Sequence, residues 1–404
     1  MAAVASTSLS RTRLASIILL TGMVVTALNL RMAIIAVSPL LEQIRDDTGL
    51  SSPLAGMLTT LPVFCFAISS LTAPRLARRF GLDQAIIGST AVLVLAIVAR
   101  LLPPLPLLYL TTAIIGLAIG IGNVLLPASI KRDFPHKTGI MTGLLTMAIS
   151  GSGAIGAGLT IPLQNATGFD WRGTLALWAI PIALALALLL PRLWMGRAGE
   201  KPLLPSPALA VNLWRDPVAW SVTMLMGLQS FSFYALVSWF PTMMSDHGME
   251  SQQAGFLLSL ANFAGFFTSF FTPIFAVRRR DQRAYMIGTF IVWVISLVCL
   301  LLFPMQGTAI WMILWGAAAG AGLGLPLSFF SLRSPDTRHA AQLSGMAQSV
   351  GYALAATGPF LIGLLRDLTG GWTVSLLFLI GILVVMLFFG LSAARDRLVG
   401  ATVP

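Results

Sequence analysis

Residues 192–216 read RLWMGRAGEKPLLPSPALAVNLWRD, and no other stretch of this chain is both as long and as polar. Three prolines and a scatter of charges mark it as a connector rather than a packed element. Everything to either side is different. Of 404 residues, 57% are hydrophobic and only 10% are charged, against about 25% charged in an ordinary soluble domain. A soluble fold with so few charges would leave its apolar surface in water, so the composition predicts an all-α polytopic membrane protein.

Working outward from the connector, apolar runs of spanning length alternate with short polar breaks. Those before it fall near 14–40, 53–74, 84–102, 105–129, 138–163 and 173–191. Those after it fall near 217–241, 252–276, 284–303, 308–331, 340–365 and 371–393. This divides the chain into an N-terminal six-helix half (1–192), a linker (193–216) and a C-terminal six-helix half (217–404). Arg11 and Arg13 before the first run could introduce a signal peptide. That run, however, is longer than the ~7–15 residues of an h-region and reads as a retained helix.

Charge fixes the orientation. With both termini and the even-to-odd loops on one side, that side collects Arg75, Arg78 and Arg79, the 131–137 cluster, the linker basics, Arg278 to Arg283, Arg333 and Arg395. The opposite side holds only Arg45, Arg100, Arg172 and Arg366, which makes the first side cytoplasmic. The excess of +11 is therefore a topology signal and not a nucleic-acid surface. Cys65 and Cys299 lie in apolar runs, and His136, His247 and His339 are scattered in connections. No metal site or cofactor is expected.

The halves repeat one another. GLSSPLAG (Gly49–Gly56) matches GMESQQAG (Gly248–Gly255), GLAIGIG (Gly116–Gly122) matches GAAAGAG (Gly316–Gly322), and Pro135, Gly151 and Gly158 match Pro335, Gly351 and Gly358 at a nearly constant offset. Two parallel six-helix repeats about a cytoplasmic linker describe the major facilitator architecture.

Polar side chains inside hydrocarbon are costly unless paired or facing a wet cavity. Here they are Asn29, Asn123, Gln229, Asn262 and Gln348, in spans 1, 4, 7, 8 and 11, which are central in that architecture. Tyr234 accompanies Gln229 in span 7, and Tyr352 shares a face with Gln348 at i+4. Aromatics mixed with neutral hydrogen-bonding groups suit a small, flat, polar solute. The alternative is that they bridge helices without touching a solute. Glycine faces in spans 4 and 5 fit either helix sliding or plain packing.

Arg31 is the sole charge within a span. It lies seven residues from the outer end, roughly 10 Å at 1.5 Å per residue. Three readings are open. It can snorkel outward, pair with Glu42, Asp46 or Asp47 of the following loop, or face the central cavity as a fixed positive charge for an anion or a nitro group. No Asp or Glu lies in the hydrocarbon region to act as a proton relay.

Several segments resemble the cyanate permease and 2-nitroimidazole transporter family of the major facilitators. They are NLRMAIIAVSPLL (Asn29–Leu41) with GMLTTLPVFCFAISSLTAPRLARRFG (Gly56–Gly81). GNVLLPASIKRDFPHKTG (Gly122–Gly139) and LSGMAQSVGYALAATGPFL (Leu343–Leu361) look closer still to the 2-nitroimidazole branch. The resemblance covers nearly the whole chain and implies a transporter of the bacterial inner membrane, with Asn29 and Arg31 at matching positions. PRLARRFGLD (Pro74–Asp83) departs from the wider superfamily, with Pro74 and Arg78 where Gly and Asp usually fall, so the usual gating salt bridge lacks its acid there.

The reading is thus a secondary transporter for a small anion or nitroaromatic, with Arg31 as anchor and Asn29, Asn123, Gln229, Tyr234, Asn262, Gln348 and Tyr352 as orienting groups. Beyond the solute and the bilayer it needs no nucleic acid and implies no obligate protein partner. An enzyme would need a nucleophile–base pair or convergent carboxylates within the spans, and none is there. A membrane receptor for a small solute is the alternative.

Overall fold

The computed structural model describes residues 21–133, 138–192, 212–276, 278–335 and 337–400. Among them, 11 helices are long and apolar enough to cross a membrane. A further helix, Thr138–Thr167, has 30 residues. In chain order these are α1 (Thr21–Thr48), α2 (Ser52–Phe80), α3 (Leu82–Ala99), α4 (Leu105–Asp133), α5 (Thr138–Thr167), α6 (Trp171–Leu189), α7 (Pro217–Asp246), α8 (Ser251–Ala276), α9 (Arg283–Leu302), α10 (Thr308–Leu332), α11 (Thr337–Thr369) and α12 (Thr373–Ala393). The expected N-terminal arm, the 134–137 loop and the linker as far as 211 lie outside the described residues.

Most boundaries fall within a few residues of the apolar runs. The first is the exception, because α1 continues past Leu40 through a polar last turn, LEQIRDDT. Gly49 stops it in the left-handed conformation at φ 67°, where a Cβ would be strained. Its repeat mate Gly248 does the same after α7 at φ 89°. The match seen in sequence is thus one turn built twice.

The second repeat also has a structural cause. A methyl group at Gly116 of α4 would strike Pro62 of α2, and one at Gly316 of α10 would strike the Ala261 carbonyl of α8. Four residues on, Gly120 meets Ser69 and Gly320 meets the Gly265 carbonyl. Both pairs of helices therefore touch backbone to backbone, which only small residues allow.

Burial sorts centre from periphery. Within their spans, 89% of α7 and 78% of α1 are buried, against 33% of α9 and α12. The outer helices turn Leu95, Ile180, Leu184, Ile291, Val384 and Phe388 outward, as a lipid-facing layer requires.

The end of the N-terminal half that carries the 2–3 loop holds an ion network that the loop pattern did not foretell. Asp83, two residues past Gly81, takes Arg132 Nη2 at 2.8 and 2.9 Å and Arg192 Nη1 at 3.2 Å. Arg192 also reaches Asp133 and Ser129. The missing acid at position 78 is thus replaced by one that starts the next helix.

Candidate substrate site

The site begins with a fault in α1. Thr26 Oγ1 and Asn29 Nδ2 donate to the carbonyls of Gly22 and Val25, at 2.7 and 2.6 Å. Side-chain donors thereby compete with the helix ladder. Leu30 and Arg31 fall in a turn, with the Leu30 amide shortened to the Ala27 carbonyl at 3.2 Å. Arg31 sits at φ −117°, ψ −22°. A short helix, Met32–Ile35, follows and breaks again. Here the cause is Pro39, which lacks an N–H and whose ring crowds the Ile35 carbonyl.

The fault leaves Arg31 partly exposed, its Cζ 5.3 Å from the centre of the Phe233 ring on α7. Among the described residues it makes no ion pair or hydrogen bond. Asp47, one of the three acids named as possible partners from the sequence, is committed elsewhere. It accepts from Trp171 Nε1 at 3.0 Å and Arg172 Nη1 at 2.9 Å.

Arg31 is the N-terminal half's one contribution to a cavity otherwise lined by the C-terminal half. α7 contributes Gln229, Ser230, Phe233 and Tyr234; α8 contributes Ala261, Asn262, Gly265 and Ser269; α10 contributes Trp315, Gly316, Ala319, Gly320 and Leu323. The empty space is about 480 Å³ with its open mouth included, and the centre of a water molecule can move through about 30 Å³ of it. One water needs about 10–15 Å³ on that measure, so the space suits a few waters or a small solute. Phe233 stacks on Trp315 with centroids 5.7 Å apart and planes at 12°. Guanidinium and indole thus both lie against the Phe233 ring.

Of the eight residues expected from the sequence, the cavity gathers Arg31, Gln229, Tyr234 and Asn262. The other four sit elsewhere. Asn29 is 1% exposed, turned back on Val25, with Oδ1 unpartnered. Gln348 donates to Ser344 Oγ on its own helix at 2.8 Å. Tyr352 packs edge-on against Phe66 at 5.5 Å, in the seam between α2 and α11. Asn123 lies on α4, off the cavity wall. Trp315 was not foreseen. It directly precedes the GAAAGAG repeat, whose small residues leave room beside it, and that adjacency was the available signal. No group of three or more His, Cys, Asp or Glu among the described residues is placed to hold a metal ion.

Outward of the cavity the halves are sewn together along two seams. Between α5 and α8, Ser259 Oγ donates to the Ala154 carbonyl at 2.7 Å and Asn165 Nδ2 to Gln252 Oε1 at 3.3 Å. Between α2 and the C-terminal half, Ser238 Oγ donates to Thr59 Oγ1 at 2.8 Å. At the outer tip of that seam, the Ser52 amide donates to Asp367 Oδ2 at 3.1 Å and Arg366 Nη1 donates to Ser52 Oγ at 3.3 Å. These contacts join the two halves directly.

Twelve helices in two repeated halves define a transporter fold, and the chain belongs to the Major Facilitator Superfamily, whose family model matches residues 19–359. Its solved structural relatives agree. The inward-open xylose transporter XylE from E. coli superposes with a TM-score of 0.73 at 14% identity, over 93% of this chain and 95% of that one. A bacterial homolog of the human lysosomal transporter Spinster, inward-facing and occupied, gives 0.72 at 19% identity, over 95% and 98%. Within the superfamily the chain is a member of the cyanate permease and 2-nitroimidazole transporter family. It is 37% identical to the 2-nitroimidazole transporter of Escherichia coli (strain K12) over 393 residues, 97% of this chain and 98% of that one. It is 27% identical to the cyanate transport protein CynX of the same strain over 372 residues, 91% and 96% of the two chains. An uncharacterized transporter of Bacillus subtilis (strain 168), YycB, is 39% identical over 382 residues, 94% of each.

Proposed function

We propose that the protein is a secondary transporter that moves a small, flat, electron-rich solute, of the cyanate or 2-nitroimidazole kind, across the bacterial inner membrane by alternating access. Both termini and the 193–216 linker face the cytoplasm, as the excess of Lys and Arg on that side requires. The observation that carries the reading is Arg31, a guanidinium without an ion pair among the described residues, at the rim of a cavity otherwise lined by the C-terminal half. An intramembrane charge in that position serves a ligand.

In this reading Arg31 anchors an anion or the oxygens of a nitro group with its planar fork. Phe233 and Trp315 supply a flat wall. Gln229, Tyr234 and Asn262 orient the solute through hydrogen bonds. Asn29 shapes the fault that presents Arg31, and Asn123, Gln348 and Tyr352 lie along the same central helices as contacts for a solute in transit.

The test is thermal stabilisation of detergent-solubilised protein by cyanate, small carboxylates and neutral 2-nitroimidazole, with Arg31→Gln alongside, followed by flux in liposomes. Stabilisation by an anion that disappears in Arg31→Gln supports Arg31 as the anchor. Stabilisation by 2-nitroimidazole alone, retained in the variant, removes Arg31 from the site. Binding without flux of any solute would replace transport with a receptor role.

A further inference from the structure

Arg100 follows the last residue of α3, and by charge pattern it belongs to an outer loop. It is instead 2% exposed, enclosed in the N-terminal half. Its Nη1 donates to the Ala33 carbonyl of α1 at 3.3 Å and its Nη2 to Thr112 Oγ1 of α4 at 3.1 Å, while Nε has no partner. No carboxylate among the described residues pairs with it. The carbonyl it holds is one that the α1 fault released. In an unbroken helix the Val37 amide would take the Ala33 oxygen, but here it bonds Ile34 at 3.2 Å. A buried charge without a counterion is a poor way to stabilise a fold, since an apolar side chain of similar volume avoids the desolvation cost. Its placement two residues from Arg31, on the same broken segment, points to the site.

We propose that Arg100 is the positioning residue of the substrate site. It clamps the fault in α1 so that Arg31 faces the cavity. It also adds a second uncompensated positive charge behind Arg31, which biases the cavity toward an anion or the negative end of a nitro dipole. The inference rests on the reading of that cavity as the solute site.

The test needs no knowledge of the natural solute. In a Cys65→Ala, Cys299→Ala background, Arg31→Cys places a thiol at the rim with its own charge removed. The rates of its reaction with anionic methanethiosulfonate ethylsulfonate and cationic methanethiosulfonate ethyltrimethylammonium are then compared in detergent. With Arg100 present, the anionic-to-cationic rate ratio should exceed that of a free thiol by about tenfold, since charges in a partly buried site interact far more strongly than in water. Arg100→Gln and Arg100→Met should bring the ratio down to the free-thiol value, and Arg100→Lys should keep most of it. Arg100→Met fills the same volume without charge, so its melting temperature should stay near that of the parent even where Arg100→Gln folds poorly. A ratio unchanged in Arg100→Met overturns the proposal, as does a ratio that falls only in step with a lost melting transition. A thiol at position 31 that reacts with neither reagent overturns the cavity reading itself, and this inference with it.

Discussion

α1 and α7 open the two halves and hold equivalent places, yet one is broken and charged while the other is continuous and neutral. Their outer ends match closely. Asp47 at the end of α1 takes the Trp171 indole at 3.0 Å, and Asp246 at the end of α7 takes the Trp372 indole at 2.8 Å. Deeper in the membrane they part. α1 fails at Arg31 and again before Pro39. α7 remains one helix of 30 residues and absorbs Pro241 without a break, held by neighbours on nearly every side. The residue matching Arg31 at the offset of the Asp pair is Ser230, on the cavity wall. The difference teaches that two copies of one scaffold have divided the work. One half holds the charge on a segment loosened enough to present it, and the other holds the shape of the cavity on a segment too firmly packed to move locally.

The sharpest way to break this comparison is to move the charge. Arg31→Gln should reduce transport about 100-fold, the scale of losing a charge-assisted hydrogen bond, with folding intact by size exclusion and thermal melting. Adding Ser230→Arg should not restore it, because α7 has no fault to present the side chain. Recovery of flux in the double variant would show that the halves are interchangeable. The packing repeat should behave in the opposite way. Gly116→Ala and Gly316→Ala meet helix backbone in both halves and should each lower stability by about 1–3 kcal/mol, as overpacking does, measured as similar falls in melting temperature. A large difference between them would show that the close approach of α8 and α10 beside the cavity is not equivalent to that of α2 and α4.

Smaller effects sharpen the contrast. Gln229→Ala removes a cavity group and should raise the half-saturation concentration about tenfold, the scale of one hydrogen bond to a ligand. Gln348→Ala, which lies off the cavity wall, should change it by about twofold or less on the same scale. Equal effects would make Gln348 as much a part of the binding site as Gln229. Least of all should be the response to the two outer acids. Asp246 holds Arg366, which crosses to Ser52 of the other half, whereas Arg172 at Asp47 stays within its own half and reaches the Pro103 carbonyl. Asp246→Asn should therefore widen the distance distribution between spin labels on the outer ends of α2 and α11, and Asp47→Asn should leave it unchanged.

Much of this was legible in the residues. Apolar runs locate helices because hydrocarbon leaves the backbone no other way to satisfy its polar groups, and the Gly116/Gly316 repeat survived as a spatial repeat because each member marks a contact that only a missing Cβ permits. Pro39 causes one break in α1, although the run 14–40 reads as a single span across it. The other, at Leu30–Arg31, has no proline and depends on two side chains bonding back to Gly22 and Val25, which sequence spacing does not reveal. Helical periodicity put Gln348 and Tyr352 on a common face but could not say whether that face meets a cavity or another helix. Trp315 resembled any apolar residue of a span, and Arg100 at a span end resembled a charge reaching for water. Asp83 was hidden for a different reason, since the ion network depends on where α3 begins rather than on the loop that precedes it.

One contact at the outer seam bears on how the molecule keeps time. The first turn of α2 has no side-chain cap of its own at Ser51. The Ser52 amide is satisfied instead by Asp367, which belongs to the opposite half. When the outside opens, that cap departs and the end of α2 is left to fray. On the proposed alternating access, each cycle should therefore release and re-form that cap, and amide hydrogen exchange at Ser52 should count how often the two halves part there, whatever solute passes through.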